Sequence, residues 1–260
     1  LEPIIISKAD FDHGGTRSML ARKASGDLLI FFTQDAIPVT ADSLEKLITP
    51  LRNDENISCS YGRQLPMEDA SRIASHLRLF NYPPHSAVRS FEDRDHLGLK
   101  TVFISNSFAA YRKKNLEEVG YFKNGLIFGE DTCTLGRLLL AGYSVAYIAE
   151  ACVFHSHNYS FIQDFRRSFD NGVLHSSEEW LLQTYGGAEK IGMRYIQSQI
   201  STMLKEGGIL QIPGFLSKVV ARYSGYRLGK WYRNVPFFLL PHLSMNKTWW
   251  RKYGGQGTGR

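Results

Sequence analysis

The chain has 260 residues, of which 43% are hydrophobic and 22% charged, and its formal net charge is +6. These values fit one folded domain with an appendage, and they exclude disordered and fibrous proteins. Three widely spaced cysteines form no CxxC or Cys/His zinc motif, which argues against a zinc domain and indicates free thiols in a reducing compartment.

The first part of the chain alternates between predicted strands and helices. Residues 3–7 (PIIIS) predict a buried strand with nothing before it, as in a fragment whose first strands are missing, and we see no secretory signal there. Further strands are predicted at 28–33, 57–61, 102–104, 108–111, 144–147 and 152–155. Helices are predicted at 15–24, 43–51, 68–80, 113–119 and 130–141, and a loop at 81–100. Apolar strands between helices are typical of an α/β fold, here with a mostly parallel sheet flanked by helices.

The pattern becomes helical beyond His157. Phe161, Phe165 and Phe169 repeat at four residues, and a further helix is predicted at 191–204. No apolar run approaches the roughly 20 residues that a membrane span needs. We therefore predict an α/β domain at 1–157, a helical extension at 158–253 and a flexible tail at 254–260.

Gln34 and Asp35 follow an apolar strand, at the edge where open α/β sheets hold their ligands. One carboxylate at that point suits a divalent cation that also binds phosphate oxygens. Capping of the turn before Pro38 explains Asp35 equally well.

Glu130 and Asp131 begin a predicted helix. Acids at a helix start favour the helix dipole, so a capping role alone accounts for them. The functional alternative is a carboxylate that takes a proton from an attacking hydroxyl.

His155 and His157 stand at a strand end, beside Asn158 and Tyr159. They suit metal ligation, or they are merely polar residues at the end of a strand.

A glycine-rich turn contains Gly14, Gly15 and Arg17 before a helix. Such a turn either holds a phosphate or fixes the following helix, and it matches neither GxGxxG nor a P-loop. The polar turns at Arg63 and Asn106 follow strands in the same manner.

Taken in order, these segments resemble family 2 glycosyltransferases, and among them the rhamnosyltransferase group. The matching segments are FDHGGTR (11–17), ASGDLLIFFTQDAIP (24–38), YGRQLP (61–66), FNYP (80–83), SNSFAAYRKKNLEEVGYF (105–122), GEDTCTLGRLLLAGYSVAYI (129–148) and HSHNYSFIQDFRRSFDNGV (155–173). The resemblance implies a GT-A fold and inverting sugar transfer from a nucleoside diphosphate, dTDP-L-rhamnose first of all. It also implies Mg²⁺ or Mn²⁺ and a lipid-linked saccharide acceptor in bacterial surface polysaccharide synthesis. The alternatives are a transferase for another hexose and a non-catalytic nucleotide-sugar or carbohydrate-binding remnant.

The resemblance assigns roles to the candidate residues. Asp131 matches the family's general base, with Glu130 beside it. Asp35 matches the metal-binding carboxylate of the DxD-type motif, whose second acid is absent here, and His155 matches a metal-binding histidine of some relatives. We expect donor contacts from Gly14, Arg17, Gln34, Asp35, Arg63 and Asn106. We expect contacts to the acceptor or the diphosphate from His157, Arg166 and Arg167.

The end of the chain is strongly basic. Residues 207–260 contain nine Lys or Arg and no Asp or Glu, whereas the first 206 residues carry a net −3. Ten Phe, Tyr and Trp side chains interleave with these cations between residues 209 and 253. We predict a helix pair on an anionic membrane, at the inner face of the cytoplasmic membrane. The alternative is a packed helical bundle with a solvated basic face. No fold signature supports nucleic-acid binding.

Overall fold

A computed structural model describes residues 3–187 and 189–254 of the chain. The strands are β1 (Leu28–Phe32), β2 (Ile37–Pro38), β3 (Ile57–Leu65), β4 (Ala87–Arg89), β5 (Phe108–Arg112) and β6 (Ser144–Phe154). The first helices are α1 (His13–Lys23), α2 (Ser43–Asn53), α3 (Arg72–Asn81), α4 (Arg94–Leu97), α5 (Lys113–Glu118) and α6 (Glu130–Leu140). The later helices are α7 (Phe161–Ser177), α8 (Glu179–Tyr185), α9 (Glu189–Lys205), α10 (Ile212–Lys230), α11 (Leu240–Leu243) and α12 (Lys247–Tyr253). Short 3₁₀ turns lie at Phe91–Asp93, Gly98–Val102, Ile209–Gln211, Tyr232–Asn234 and Phe237–Leu239.

The six described strands form one mixed sheet in the order β1-β5-β3-β6-β2, with β4 also paired to β6. β3 and β6 pair in parallel, whereas β5 runs antiparallel between β1 and β3. β2 and β4 are antiparallel to β6. The predicted α/β sheet flanked by helices is confirmed, but its mostly parallel character is wrong. The one parallel pair among the described strands, β3 and β6, is joined by the long connection 66–143, as a parallel pair requires, whereas the antiparallel strands need no such crossover.

Four predicted strands differ from the structure. Residues 3–7 form no strand, and Ile5 is 91% exposed, because no described strand lies beside them to take their backbone hydrogen bonds. The predicted strand 102–104 is instead the end of a 3₁₀ turn and the coil that follows it. The two strands predicted at 144–147 and 152–155 are one strand, β6, whose register against β3 shifts after Ile148.

The predicted helices are present with bounds shifted by a few residues. α1 begins early because the Asp12 carboxylate caps it, accepting the N–H of Gly15 at 2.6 Å. α3 begins later than predicted because Ser71 caps it and accepts the N–H of Ala74 at 3.3 Å. The predicted loop 81–100 carries β4 and α4.

The helices after β6 share the main hydrophobic core with the sheet. Phe169 and Val173 of α7 are fully buried in the same cluster as Leu135 and Leu138 of α6. The domain boundary predicted at residue 157 stays a prediction. Of the tail predicted at 254–260, Gly254 is described and buried, and the rest lies outside the described residues.

α7 and α10 approach each other at backbone distance. A methyl group on Gly172, Gly225 or Gly229 would overlap backbone atoms of the facing helix. Within the described ranges, no helix has both the length and the apolar content that crossing a bilayer requires.

Candidate active site

Three side chains converge where β1 and β6 end. Asp35 lies shortly after β1, and His155 and His157 follow β6. Oδ2 of Asp35 is 3.4 Å from Nε2 of His155 and 3.9 Å from Nε2 of His157. The structure thus brings the predicted metal ligands Asp35 and His155 together, and it adds His157, which was predicted to contact the acceptor or the diphosphate.

The chemistry of these donors fits a divalent cation. Two donors about 2.1 Å from one ion lie about 3–4 Å apart, which is the range of these separations. Burial and the nearby Arg78 cation lower the pKa of His155 to about 4, so its ring is neutral and able to ligate a metal. Burial opposes ionisation of Asp35, yet the polar surroundings, with the Thr33 side chain the largest favourable influence, outweigh it and lower the pKa of this carboxyl.

The buried Gln64 determines which nitrogen of His155 faces Asp35. Oε1 of Gln64 lies 2.9 Å from Nδ1 of His155 and also accepts a hydrogen bond from Arg78. An arginine only donates, so the amide oxygen must face it, and Nδ1 of His155 must then carry the proton. Nε2 therefore presents a lone pair towards the carboxylate of Asp35. Two facing acceptors repel each other unless a cation lies between them.

Sequence reasoning selected Arg63 rather than Gln64. Successive side chains of a strand face opposite sides of the sheet, so only one of the two can reach His155. Arg63 donates through Nε to the carbonyl of Tyr82 at 3.2 Å and does not join the cluster. Alternation along β3 separates Gln64 from Arg63, but the register with β6 decides which of the two faces His155.

The two acids at the start of α6 have different surroundings. Glu130 is buried and forms an ion pair with Arg17. This pair engages the guanidinium that was predicted to contact the sugar donor. Burial and repulsion from Asp131 raise the pKa of Glu130 to about 7. Asp131 is half-buried, and it accepts the backbone N–H groups of Asn106 at 3.2 Å and Thr132 at 2.8 Å. Of the pair, Asp131 is therefore the carboxylate better placed to meet a substrate.

Asn106 connects Asp131 with the end of β1. The next residue, Ser107, accepts the backbone N–H of Thr33 at 3.2 Å, two residues before Asp35. These contacts place Asp35 and Asp131 on the same edge of the sheet.

A small cavity of about 190 Å³ adjoins Asn106, and it is also lined by Arg17, Phe31 and Phe32. The Asn106 side chain is buried, and its oxygen accepts the hydroxyl of Tyr111 at 2.8 Å. Its amide Nδ2 has no hydrogen-bond partner among the described residues. Asn106, which was predicted to contact the sugar donor, therefore keeps an amide N–H free to donate a hydrogen bond beside this cavity.

The start of α1 does not present a phosphate site. Gly14 is buried, and a side chain there would overlap the carbonyl of Lys123. The Asp12 carboxylate occupies the helix end and also accepts the N–H of Gly125 at 3.2 Å. The donor contact predicted for Gly14 is thus replaced by a packing contact.

The remaining predicted residues lie in different places. Gln34 is exposed beside Asp35. Arg166 donates to the carbonyl of His242 at 3.0 Å, which ties α7 to α11. Arg167 is exposed, and its guanidinium lies 5.9 Å from the ring centre of Phe128.

Comparison with known proteins decides the family. Residues 4–120 match the family described as Glycosyl transferase family 2. The chain is 43% identical over 248 residues to the O-antigen chain rhamnosyltransferase WbaN of Salmonella anatum, which covers 95% of this chain and 78% of that protein. The chain belongs to glycosyltransferase family 2.

A second relative and a solved structure agree with this assignment. The glycosyltransferase is 42% identical over 246 residues to the O-antigen chain rhamnosyltransferase RfbN of Salmonella typhimurium strain LT2, covering 94% of this chain and 78% of that one. It is also similar to the mannosyltransferase PcManGT of Pyrobaculum calidifontis, solved with GDP-Man and Mn²⁺. That likeness has a TM-score of 0.55 at 13% identity and covers 84% of this chain and 66% of the other. The predicted family and GT-A fold are confirmed.

Proposed function

We propose that this family 2 glycosyltransferase moves L-rhamnose from dTDP-L-rhamnose to a hydroxyl of a lipid-linked saccharide, in O-antigen synthesis. Two relatives at 42–43% identity over most of the chain carry the name O-antigen chain rhamnosyltransferase, which supports this donor. The observation that carries the reaction is the presence of Asp35, His155 and Asp131 on one edge of the sheet.

Asp131 acts as the general base. Its carboxylate takes the proton of the acceptor hydroxyl as that oxygen forms a bond to the anomeric carbon. The bond from this carbon to the donor diphosphate breaks, and its electron pair leaves on the diphosphate. Attack from the face opposite the leaving group inverts the anomeric configuration. Glu130, held by Arg17, keeps the start of α6 in place and does not take the proton.

Asp35, His155 and His157 would hold a divalent cation, with Mn²⁺ preferred to Mg²⁺. Such an ion, when bound, neutralises charge on the departing diphosphate. Two of the three donors are imidazole nitrogens, whereas Mg²⁺ takes oxygen ligands in near-ideal octahedral geometry. The Mn²⁺ in PcManGT agrees with this preference.

The basic C-terminal region lies on an anionic membrane at its cytoplasmic side, where a lipid-linked acceptor would be presented. Exposed Trp231 and Phe238, close in sequence to Arg227, Lys230 and Arg233, support this placement.

The deciding experiment combines a donor panel with Asp131→Asn. We expect transfer from dTDP-L-rhamnose in Mn²⁺, and we expect Asp131→Asn to lower kcat by about 10²–10⁴-fold while donor affinity stays within two-fold. The matched control is Asp27→Asn, an exposed acid before β1 that makes no side-chain hydrogen bond among the described residues. If Asp131→Asn keeps the wild-type turnover, Asp131 is not the general base. If the enzyme transfers sugar only from a donor other than dTDP-L-rhamnose, the proposed donor sugar is wrong.

A further inference from the structure

A cavity of about 370 Å³ lies between the start of α1, the loop before α6, α7 and α12. This volume is within the range of small-molecule sites. Its walls combine aromatic rings, cations and a buried acid, and the residues that matter here are Lys8, Phe128, Arg167, Asp170, Trp249 and Lys252. The residues proposed to bind the sugar donor and the metal are different from these six, so those roles do not account for this cavity.

The cavity adjoins the reaction centre on two sides. His13 lines both this cavity and the small cavity at Asn106, whose backbone holds Asp131. On the other side, the Arg167 guanidinium lies 5.6 Å from the ring centre of Tyr159. The Tyr159 ring is in turn 5.5 Å from that of His157. A ligand in this cavity would therefore be separated from the cavity at Asn106 by His13, and from the proposed metal ligand His157 by Tyr159.

Three cations of the cavity lack acidic partners. Among the described residues, no carboxylate lies within 4.0 Å of Lys8, Arg167 or Lys252. Lys252 donates to the carbonyl of Asp10 at 3.2 Å, and the Asp12 carboxylate is already engaged by backbone N–H groups. This arrangement favours a ligand with an anionic group such as a phosphate.

Asp170 adds a buried carboxylate, a hydrogen-bond acceptor, to these cations. It is 3% exposed, and its Oδ2 accepts the N–H of Met245 at 3.0 Å. Its Oδ1 has no hydrogen-bond partner among the described residues. Burial raises the pKa of Asp170 to about 6, so retaining this acid costs stability at neutral pH. A buried carboxylate with an unused oxygen is suited to a ligand hydroxyl.

The aromatic wall is held rigidly. Nε1 of Trp249 donates to the carbonyl of Gly125 at 2.9 Å, which fixes the indole against the loop before α6. The Trp249 and Tyr253 rings lie 6.1 Å apart at 41°. Fixed aromatic faces pack well against the apolar C–H face of a sugar ring.

We propose that this cavity binds the sugar and the adjoining phosphate of the acceptor. Trp249 packs against the sugar ring, Asp170 accepts a hydrogen bond from one of its hydroxyls, and Arg167 and Lys252 bind the phosphate. The proposal rests on the proposed function, because a saccharide attached to lipid through phosphate combines these features. In this proposal Arg167 keeps its predicted contact with the acceptor saccharide, whereas Arg166 has a structural role through its hydrogen bond to His242.

The kinetic test uses Arg167→Met and Lys252→Met, with Arg251→Met as the matched control because Arg251 is exposed on α12 and does not line the cavity. The assay contains saturating donor, a short-chain acceptor and no vesicles. We expect the acceptor KM to rise at least ten-fold in both variants, while the donor KM of Lys252→Met stays within two-fold. The control keeps the wild-type acceptor KM.

Asp170→Asn tests the sugar contact separately from folding. Because the folded pKa of Asp170 is raised, its unfavourable contribution develops as pH rises from about 4 to about 6. We therefore expect Asp170→Asn to unfold at a temperature no lower than the wild type at pH 8, yet to show a raised acceptor KM. A raised acceptor KM in a stable protein supports the site.

Direct binding identifies the ligand chemistry. Calorimetry on the chain with glucose 1-phosphate, methyl glucoside and inorganic phosphate is expected to give the tightest binding for the sugar phosphate, weakened about ten-fold by Arg167→Met. If the wild type transfers sugar but all three variants keep an acceptor KM within two-fold, the cavity is not the acceptor site. If the wild type neither transfers nor hydrolyses any donor, the proposed function itself fails.

Discussion

At the scale of single residues, the hydrogen bond between Gln64 and His155 controls the metal site. Gln64→Leu keeps the size of the side chain but removes the oxygen that accepts from Nδ1 of His155. Without it, Nε2 is no longer fixed as the unprotonated nitrogen. Removing such a supporting group costs about 10–100-fold in metal affinity. We expect that loss for Mn²⁺, measured by electron paramagnetic resonance or calorimetry without donor.

The control variants separate this role from general packing. Gln64→Glu keeps an oxygen for both Arg78 and His155, so it should retain Mn²⁺ affinity within a few-fold. Gln197→Leu, on an exposed position of α9, should have no effect. Equal Mn²⁺ affinity in Gln64→Leu and the wild type would contradict the positioning role.

The sequence was informative about which residues meet, and less so about what each one contacts. Asp35 and His155 each follow a strand that ends at the same sheet edge, and their side chains lie 3.4 Å apart. Gln64 was missed, since the face of a strand that a side chain occupies depends on register with its neighbours. The packing contact of Gly14 could not be foreseen, because its partner Lys123 is more than a hundred residues away in the chain. A contact with the phosphate of the sugar donor was therefore expected instead.

At the scale of elements, the contact between α7 and α10 depends on glycine. Gly229→Ala would place a methyl group against the carbonyl of Phe169, and a backbone atom cannot move aside as a side-chain end does. We expect unfolding free energy to fall by about 1–3 kcal/mol, as for other overpacked sites. Urea denaturation measures it.

Gly214→Ala is the matched control within α10. A methyl group there meets no atom within 4 Å, and alanine favours a helix over glycine by up to about 1 kcal/mol. It should therefore stabilise the protein or leave it unchanged. If Gly229→Ala were as well tolerated as Gly214→Ala, the close approach of the two helices would be wrong.

Helices were easier to predict than the arrangement of strands. Apolar residues at helical spacing and clear end signals, such as Gly142 with φ of 90° after α6, mark helices locally. The direction and neighbours of a strand are set by contacts distant in sequence. The sheet was predicted to be flanked by helices, yet Ile30 and Phe32 of β1 are 40% and 42% exposed, because β1 ends the order of described strands.

At the scale of the whole molecule, the basic region is less free than its sequence suggests. Lys218 and Arg222 pair with the buried Asp164 of α7, at 3.3 and 2.8 Å. α10 is packed on α7 rather than lying loose, which agrees with the packed-bundle alternative for these helices. The surface available to lipid is therefore smaller than a whole helix pair, and it includes the segment 231–239.

The membrane proposal makes its sharpest prediction at this segment. Trp231 and Phe238 are 64% and 71% exposed, and each cation near an anionic surface contributes about 1 kcal/mol. We expect the wild type to co-sediment with vesicles containing anionic lipid, less so as salt rises. Replacing Trp231 and Phe238 together by Ser should weaken that binding several-fold. Leu210→Ser, at a residue 92% exposed at the other end of α10, serves as the control and should bind as the wild type does. If the wild-type chain does not co-sediment with anionic vesicles, the packed bundle with a solvated basic face is the correct interpretation. Water alone then solvates the exposed cations.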